Sequence, residues 1–321
     1  RALQAWFAQG PDVAAAAESG AVDALLAALG EAALFEAATD ALVELLLFAK
    51  LRRHPRLLEA VLRALAGLGP LYAAHGADEA FAACVHRLVV HAAAACSSAL
   101  VEHYAGAGGH VVALSLACVR HPCKDLSLLM LDMWYELQFD ANTAAEQGAL
   151  PAPQLQHLRG VYLALAAALL RHCRRESSAD DPLDEETAAY RKEARDTFYY
   201  VHEFLGAPLV AALVQELEAA AASTEAEAWR AVEAALFALS CVGELVAVSE
   251  ENGGLVSRLL EAALAQPPHG AVTPATLRLL GEYEQWLAAS AEAAAAAAAY
   301  VLRALGSPAL RARAAPALRA L

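Results

Sequence analysis

The chain has almost no strand signal and no excess of basic residues. Its 321 residues include 23 lysines and arginines against 37 aspartates and glutamates, which gives a formal net charge of −14. Because nucleic-acid phosphates require basic patches, this balance argues against direct nucleic-acid binding. It favours basic proteins or basic tails as partners.

Motifs that carry catalytic chemistry are also missing. The sequence contains no Gly-x-Ser-x-Gly elbow, no glycine-rich phosphate loop and no His-Glu-x-x-His. An enzyme is therefore the function class that the sequence supports least, and we predict no catalytic residues and no cofactor.

The cysteines show no regular spacing, so a disulfide framework is not expected. The six are Cys84, Cys96, Cys118, Cys123, Cys173 and Cys241. We interpret them as buried thiols in a reducing compartment.

Two clusters of cysteine and histidine are candidate metal sites. His121 and Cys123 lie near Cys118 but form only one irregular group, whereas structural metal sites require two pairs of ligands, each pair closely spaced in sequence. Cys84 and His86 share a predicted helix with a second histidine, but no two of the three have the i, i+4 spacing of one face. We predict no metal site.

Long apolar runs are scarce as well. No run approaches the roughly 20 residues of a membrane span, and the alanine run Ala293–Ala299 is short and soon followed by Arg303. We predict no membrane insertion. The chain begins at Arg1 without a charged-then-apolar leader, and we expect it to be a fragment of a longer protein.

What the sequence does contain is one amphipathic helix after another. Leu155, Leu158, Tyr162, Leu165 and Leu169 keep one face of a helix, and similar patterns recur along the chain. Breaks fall about every 15 to 25 residues, which gives helix pairs near the 40-residue spacing of HEAT repeats. We predict an all-α, HEAT/armadillo-like solenoid of antiparallel helix pairs, forming a single segment over residues 1–321.

Glycine and proline set the predicted breaks. We expect a break at Gly67–Pro70, a loop at Gly106–Gly109 and a turn at Asn252–Gly254. A long helix, with a kink as an option, is expected over about Asp78–Tyr104.

Three aromatic residues lie at helical spacing with apolar neighbours. Core positions are the default for Trp134, Tyr135 and Trp229, with burial expected for the two tryptophans. An exposed aromatic groove is the alternative for some of them.

One segment, at about residues 176–186, departs from the helical pattern and concentrates negative charge. Its candidate partner-binding carboxylates are Asp180, Asp181, Asp184, Glu185 and Glu186. Two interpretations stay open: a solvated linker, or a loop that attracts a basic partner over the roughly 8 Å screening length of physiological salt.

Several stretches, in order, resemble the importin-β superfamily of nuclear transport receptors, most closely its transportin-SR-like branch. They are Ala5-Trp6-Phe7, Leu34–Asp40, His121-Pro122, Met133–Leu137, Tyr190–Lys192 with Asp196 and Phe198, Trp229–Phe237 and Leu280–Tyr283. The likeness extends from Ala5 to about Leu305 and corresponds to the middle repeats of these receptors.

The resemblance implies a receptor that shuttles between cytoplasm and nucleus and binds protein cargo for Ran-dependent passage through the nuclear pore. It implies Ran GTPase and nucleoporins as partners, and arginine/serine-rich proteins as the cargo class. It also implies that an acidic loop of the middle repeats contacts Ran or cargo. The alternative is a generic HEAT-repeat scaffold for protein–protein interaction without a transport role.

Overall fold

The computed structural model describes residues 2–7, 20–48, 51–308 and 310–311. The chain divides into two compact units, Arg1–Leu165 and Ala166–Leu321. The described residues are helices joined by short connections, and none of them forms a strand.

The first unit is built from successive helices with one short 3₁₀ turn at Leu51–Arg53. Its helices are α1 (Ala2–Phe7), α2 (Ala21–Ala28), α3 (Phe35–Phe48), α4 (Pro55–His75), α5 (Glu79–Glu102), α6 (Ala107–Val119), α7 (Lys124–Leu128), α8 (Leu131–Glu146) and the greater part of α9 (Ala152–His172).

These helices pack in alternate order as well as in sequence. Helix α3 packs against α5 and α4 against α6, and α5 packs against α8, from which α6 and the five-residue α7 separate it in sequence. Contact between every second helix is typical of stacked antiparallel pairs, in which each repeat buries its apolar stripe against the next.

The second unit repeats this arrangement, with a 3₁₀ turn at Gly243–Leu245. Its helices are α10 (Glu185–Leu205), α11 (Ala207–Ala222), α12 (Ala228–Val242), α13 (Glu250–Leu264), α14 (Val272–Glu282), α15 (Glu284–Ala289) and α16 (Ala291–Gly306). Helix α10 packs against α12, α11 against α13, and α12 against α14.

The aromatic residues of α8 divide between core and surface. Trp134 is 1% exposed and meets Tyr162 edge-on, with ring centroids 5.5 Å apart, so its predicted burial is confirmed. Tyr135 is 41% exposed, and the core prediction for it is wrong. Adjacent residues of a helix point about 100° apart, and this rotation places Tyr135 outside the face that buries Trp134.

The break predicted at Gly67–Pro70 is also wrong, because α4 continues through Pro70 to His75. A proline inside a helix costs about 3 kcal/mol. Burial of Leu65, Leu68 and Tyr72 on one face of the same helix offsets this cost, since each large apolar side chain contributes about 1.5–3 kcal/mol.

The two other glycine-rich stretches are mostly helical: Gly106 lies in the turn before α6, whereas Gly108 and Gly109 belong to α6 and Asn252–Gly254 belongs to α13. Helix α6 begins at Ala107, and a Cβ on Gly108 would lie 2.3 Å from the carbonyl oxygen of Leu100. The glycine therefore permits a close approach of two backbones. Asn252–Gly254 lies in the first turn of α13, where a Cβ on Gly253 or Gly254 would meet only open space.

Helix α5 has the kink that its sequence allowed. Cys96 takes a non-helical conformation (φ −157°, ψ 37°) inside the helix. Before the kink, Arg87 pairs with Asp40 of α3 at 2.6 Å, and after it Ser97 donates to Asp140 of α8 at 2.6 Å. The two parts of α5 thus form these bonds with different helices, α3 and α8.

Two helices of the first unit have the length and apolar composition needed to cross a membrane. They are Pro55–His75 and Glu79–Glu102. The expectation that no apolar segment approaches this length is therefore wrong. A core helix packed inside a repeat passes the same test, and both helices pack against neighbours in the first unit.

Candidate protein-binding site at the acidic loop

The acidic segment lies between α9 and α10 and ends earlier than its sequence predicted. Asp184 caps α10 by accepting a 2.7 Å hydrogen bond at Oδ1 from the backbone N–H of Thr187. Glu185 and Glu186 therefore belong to the first turn of α10 and not to the loop. Carboxylates at a helix N-terminus are stabilised by the helix dipole, which favours this boundary.

Arg175 holds the loop from inside. Its side chain is almost fully buried, and its Nη2 donates to the hydroxyl of Ser177 (3.3 Å) and to the carbonyls of Ser178 (3.2 Å) and Asp181 (2.5 Å). Ser178 in turn donates to the carboxylate of Asp181 at 2.7 Å. The loop is thus fixed by hydrogen bonds of its own residues.

Arg230, near the start of α12, adds a second anchor. Its Nη1 donates to the carbonyls of Arg175 and Ser177, the latter at 3.1 Å. Its guanidinium lies 4.8 Å from the ring centroid of Trp229, which itself stacks on His269 with centroids 5.0 Å apart.

Trp229 is half-buried, so the prediction that it is a core residue is wrong. The ring lies in the first turn of α12, next to the guanidinium of Arg230 and the ring of His269. Helical spacing alone does not distinguish this position from a core position.

The loop also contacts the connection between α13 and α14. A Cβ on Gly270 would lie 2.6 Å from Oδ1 of Asp180 and 2.9 Å from the carbonyl oxygen of Ala179, so a larger residue would force the loop to shift. Burial lowers the pKa of the neighbouring His269, and the charge of Asp180 opposes that shift. Asp180, Asp181, Glu185 and Glu186 are exposed, whereas Asp184 is half-buried at its cap.

A buried ion pair positions the helices on either side of the loop. Arg191 of α10 donates to both carboxylate oxygens of Glu233 of α12, at 2.8 and 2.5 Å. Its Nε donates to the carbonyl of Cys173, directly after α9, at 2.9 Å. Burial disfavours the charged guanidinium, but the hydrogen bonds and charge of Glu233 outweigh it and raise the pKa of Arg191.

Sequence reasoning missed this pair as a functional element. Its signal was present, because Arg191 lies on the face that carries Tyr190, Ala194 and Phe198, all of them buried. A charged residue on an apolar stripe predicts a buried partner. Which carboxylate would supply it depends on the tertiary packing of α12.

The cysteine and histidine clusters of the first unit are occupied by hydrogen bonds. His121 donates from Nε2 to the carbonyl of Gly76 (3.0 Å) and accepts at Nδ1 from the backbone N–H of Cys123 (3.1 Å). Burial raises the pKa of Cys118 to about 12, which disfavours the thiolate that a metal requires. Residues 2–7, 20–48, 51–308 and 310–311 contain no group of three or more metal-ligating side chains.

His86 is a fully buried histidine in the same region. It accepts a 2.8 Å hydrogen bond at Nε2 from the hydroxyl of Tyr72 of α4, and donates from Nδ1 to the carbonyl of Leu126 of α7 at 2.8 Å. Burial lowers its pKa to about 4, so the ring is neutral near pH 7. It joins three helices and has no ligand position left.

No family model matches the chain. Importin-13 of Homo sapiens and of Bos taurus is 29% identical over 193 residues, and importin-13 of Gallus gallus is 28% identical over 192 residues. These matches cover 57% of this chain but only 19% of the relatives' length.

Solved structures share the fold over nearly the whole chain. Importin-13 in its cytosolic state superposes with a TM-score of 0.77 at 19% identity, covering 90% of this chain and 36% of that one. Kap121p bound to Nup53p gives a TM-score of 0.67 at 20% identity, covering 98% and 30%. Kap121p bound to the extreme C-terminus of Cdc14p gives 0.69 at 18% identity, with the same coverage.

The predicted fold class is thereby confirmed as an all-α, HEAT/armadillo-like solenoid of antiparallel helix pairs. The solved structures establish the fold. The partial sequence match indicates which proteins of that fold the chain resembles. Together they support the importin-β superfamily of karyopherins as the group of proteins that this chain resembles.

Proposed function

We propose that the chain is a segment of an importin-β-type nuclear transport receptor and that it binds protein cargo on its helical-repeat surface. The observation that carries the proposal is the match to importin-13 over 193 residues at 29% identity. Because the chain spans about a fifth of that relative's length, activities of the whole receptor extend to this chain only as part of the proposal.

The proposed partners follow from the same comparisons and from the resemblance to the transportin-SR-like branch. Kap121p is found bound to Nup53p, to the extreme C-terminus of Cdc14p and to Ulp1p. For this chain we propose protein cargo, arginine/serine-rich in class, together with nucleoporins and Ran GTPase. Shuttling between cytoplasm and nucleus, with passage through the pore, belongs to the same proposal.

The acidic loop is the proposed contact for a basic partner. Arg175 and Arg230 hold the loop backbone, while the carboxylates of Asp180 and Asp181 stay exposed beside those of Glu185 and Glu186. A loop already fixed by hydrogen bonds loses less conformational entropy when a partner binds. Concentrated charge of one sign also accelerates association with an oppositely charged protein.

The test neutralises the five carboxylates together and measures binding. The variant is Asp180→Asn, Asp181→Asn, Asp184→Asn, Glu185→Gln and Glu186→Gln. Asparagine caps a helix as well as aspartate does, so α10 keeps its N-cap. The matched control removes five exposed charges elsewhere in the second unit: Glu216→Gln, Glu225→Gln, Glu250→Gln, Glu251→Gln and Glu261→Gln.

Binding to an arginine/serine-rich protein, with and without Ran-GTP, is measured across salt concentrations. Each exposed ion pair contributes about 0.2–1 kcal/mol, so we expect the loop variant to bind about tenfold or more weakly and with a shallower salt dependence. Equal binding by the loop and control variants would make the segment a linker. Cargo binding without any response to Ran-GTP, and no capture of nucleoporins, would favour a HEAT-repeat scaffold over a receptor.

A further inference from the structure

The second unit contains a pocket whose charge is opposite to that of the chain. The pocket has a volume of about 460 Å³ and lies among α10, α12, α14 and the end of the acidic loop. Its charged lining residues are Arg175, Arg191, Lys192, Arg195, Arg278 and Glu233. Five cationic side chains therefore meet one carboxylate in a protein of net charge −14.

The single carboxylate does not neutralise the pocket, because Glu233 is fully engaged by Arg191. Lys192 lies 3.7 Å from the carboxylate of Glu193, a residue that does not line the pocket. In the described part of the chain, no carboxylate lies within 4.0 Å of the exposed guanidinium groups of Arg195 and Arg278. The rim of the pocket thus carries positive charge that the fold leaves unpaired.

A buried residue of the pocket lining supplies a second observation. Arg175 is 8% exposed, and its buried Nε has no hydrogen-bond partner in the structure. A buried donor without a partner carries a desolvation cost that a ligand oxygen would remove. Beside it, the pocket is lined by Phe237, Leu183 and Pro274, which offer apolar surface to a peptide backbone or side chain.

We propose that this pocket binds a short acidic peptide segment of a protein partner, with aspartate or glutamate carboxylates on Arg195, Arg278 and Arg175. Guanidinium groups bind carboxylates through paired hydrogen bonds. Five cationic side chains around a volume of about 460 Å³ offer more charge and more space than one small anion requires. A long polyanion such as a nucleic acid would meet the acidic remainder of the chain and be repelled.

The location next to the acidic loop defines the partner further. Leu183 and Ala188 line the pocket and flank the carboxylates of Glu185 and Glu186. A partner segment with an acidic stretch adjoining a basic one would place each beside charge of the opposite sign. The inference deepens the proposed function and rests on it for the nature of the partner as a protein.

The experiment uses the 321-residue chain and two fluorescein-labelled peptides, one glutamate-rich and one with glutamine at the same positions. Binding is followed by fluorescence anisotropy. The test variant is Arg195→Gln with Arg278→Gln, since both side chains are exposed and outside the buried ion pair. The control is Arg171→Gln with Arg174→Gln, two exposed arginines of the same unit that do not line the pocket.

We expect the parent and the control variant to bind the glutamate peptide and the test variant to bind it about five- to tenfold more weakly, since each removed pair is exposed at the rim. The glutamine peptide is expected not to bind. Equal loss in the test and control variants, or no binding by the parent, would overturn the proposal. Displacement of the peptide by inorganic phosphate, added to give the same concentration of negative charge, would show that the pocket binds small anions in general and would overturn the peptide proposal. The assay contains neither Ran nor nucleoporin, so its failure leaves the receptor proposal standing.

Discussion

Buried polar groups hold the helices of both units together, but the group is neutral in the first unit and charged in the second. In the first unit, neutral His86 joins α5 to α4 through Tyr72 and to α7 through the carbonyl of Leu126. In the second, charged Arg191 joins α10 to Glu233 of α12 and to the carbonyl of Cys173. The same structural task therefore makes the first unit sensitive to protonation and the second sensitive to loss of a counter-charge.

The largest expected effect comes from breaking the charged pair. Glu233→Gln leaves the buried guanidinium of Arg191 without a counter-charge, and we expect the free energy of unfolding to fall by about 3–5 kcal/mol. Urea unfolding followed by circular dichroism measures it. The control, Glu218→Gln, breaks the exposed pair with Arg258 and is expected to change stability far less than Glu233→Gln, because solvent screens exposed charges.

A double variant sharpens the same test. Arg191→Met with Glu233→Leu removes both charges and fills the space with apolar side chains, so we expect a smaller loss than for Glu233→Gln alone. If the double variant is less stable than Glu233→Gln, the ion pair contributes stability beyond the neutralisation of one buried charge by the other.

The next effect is the pH dependence of the neutral cluster. The pKa of His86 is lowered from 6.5 to about 4 in the folded chain, so the unfolded chain binds the proton more tightly. Stability from this group is complete above the unfolded pKa, falls as the pH drops below about 6.5 and levels off below about 4. A shift of this size corresponds to about 3 kcal/mol.

Comparison of pH profiles isolates that contribution. His86→Gln is expected to lower stability at pH 7 and to flatten the profile between pH 6.5 and 4, as measured by urea unfolding. His103→Gln, at an exposed position, serves as the control and is expected to leave the profile unchanged. An unchanged profile for His86→Gln would show that other groups dominate the pH response.

The smallest effect concerns one hydrogen bond of the neutral cluster. Tyr72→Phe removes the hydroxyl that donates to Nε2 of His86 and leaves a buried acceptor unsatisfied. We expect a loss of about 1–2 kcal/mol, less than for Glu233→Gln, because no net charge is left unpaired. Thermal or urea unfolding at pH 7 is sufficient, and a loss equal to that of Glu233→Gln would remove the distinction between the two units.

The helical fold was predictable from the sequence because periodicity records which face is buried. The structural role of the glycine pairs was not predictable, because glycines in similar stretches of sequence have different surroundings in the structure. Gly108 and Gly109 lie where carbonyl oxygens of Leu100 and Tyr104 leave no room for a Cβ, whereas Gly253 has open space around it. Only the approach of a second backbone distinguishes these cases, and local sequence does not contain it.

The candidate site was predictable in part for the same reason. The carboxylates of the loop are neighbours in sequence, so their charge was visible as a cluster. The cations of the pocket come from helices that are far apart in sequence, with Arg175, Arg195 and Arg278 brought together only by the packing of α10, α12 and α14. A basic site of this kind is invisible in the net charge.

The kink at Cys96 divides α5 into two helical segments, whereas an unbroken helix of the same length would extend for roughly 36 Å. Only six residues, Ser97–Glu102, follow the kink, fewer than an isolated helix needs to persist in water. Their helical state therefore depends on docking against the neighbouring helices, including the bond from Ser97 to Asp140. Backbone amides of this last segment are expected to exchange with deuterium as one group, in step with the undocking of α8, and ahead of the turns that precede Cys96.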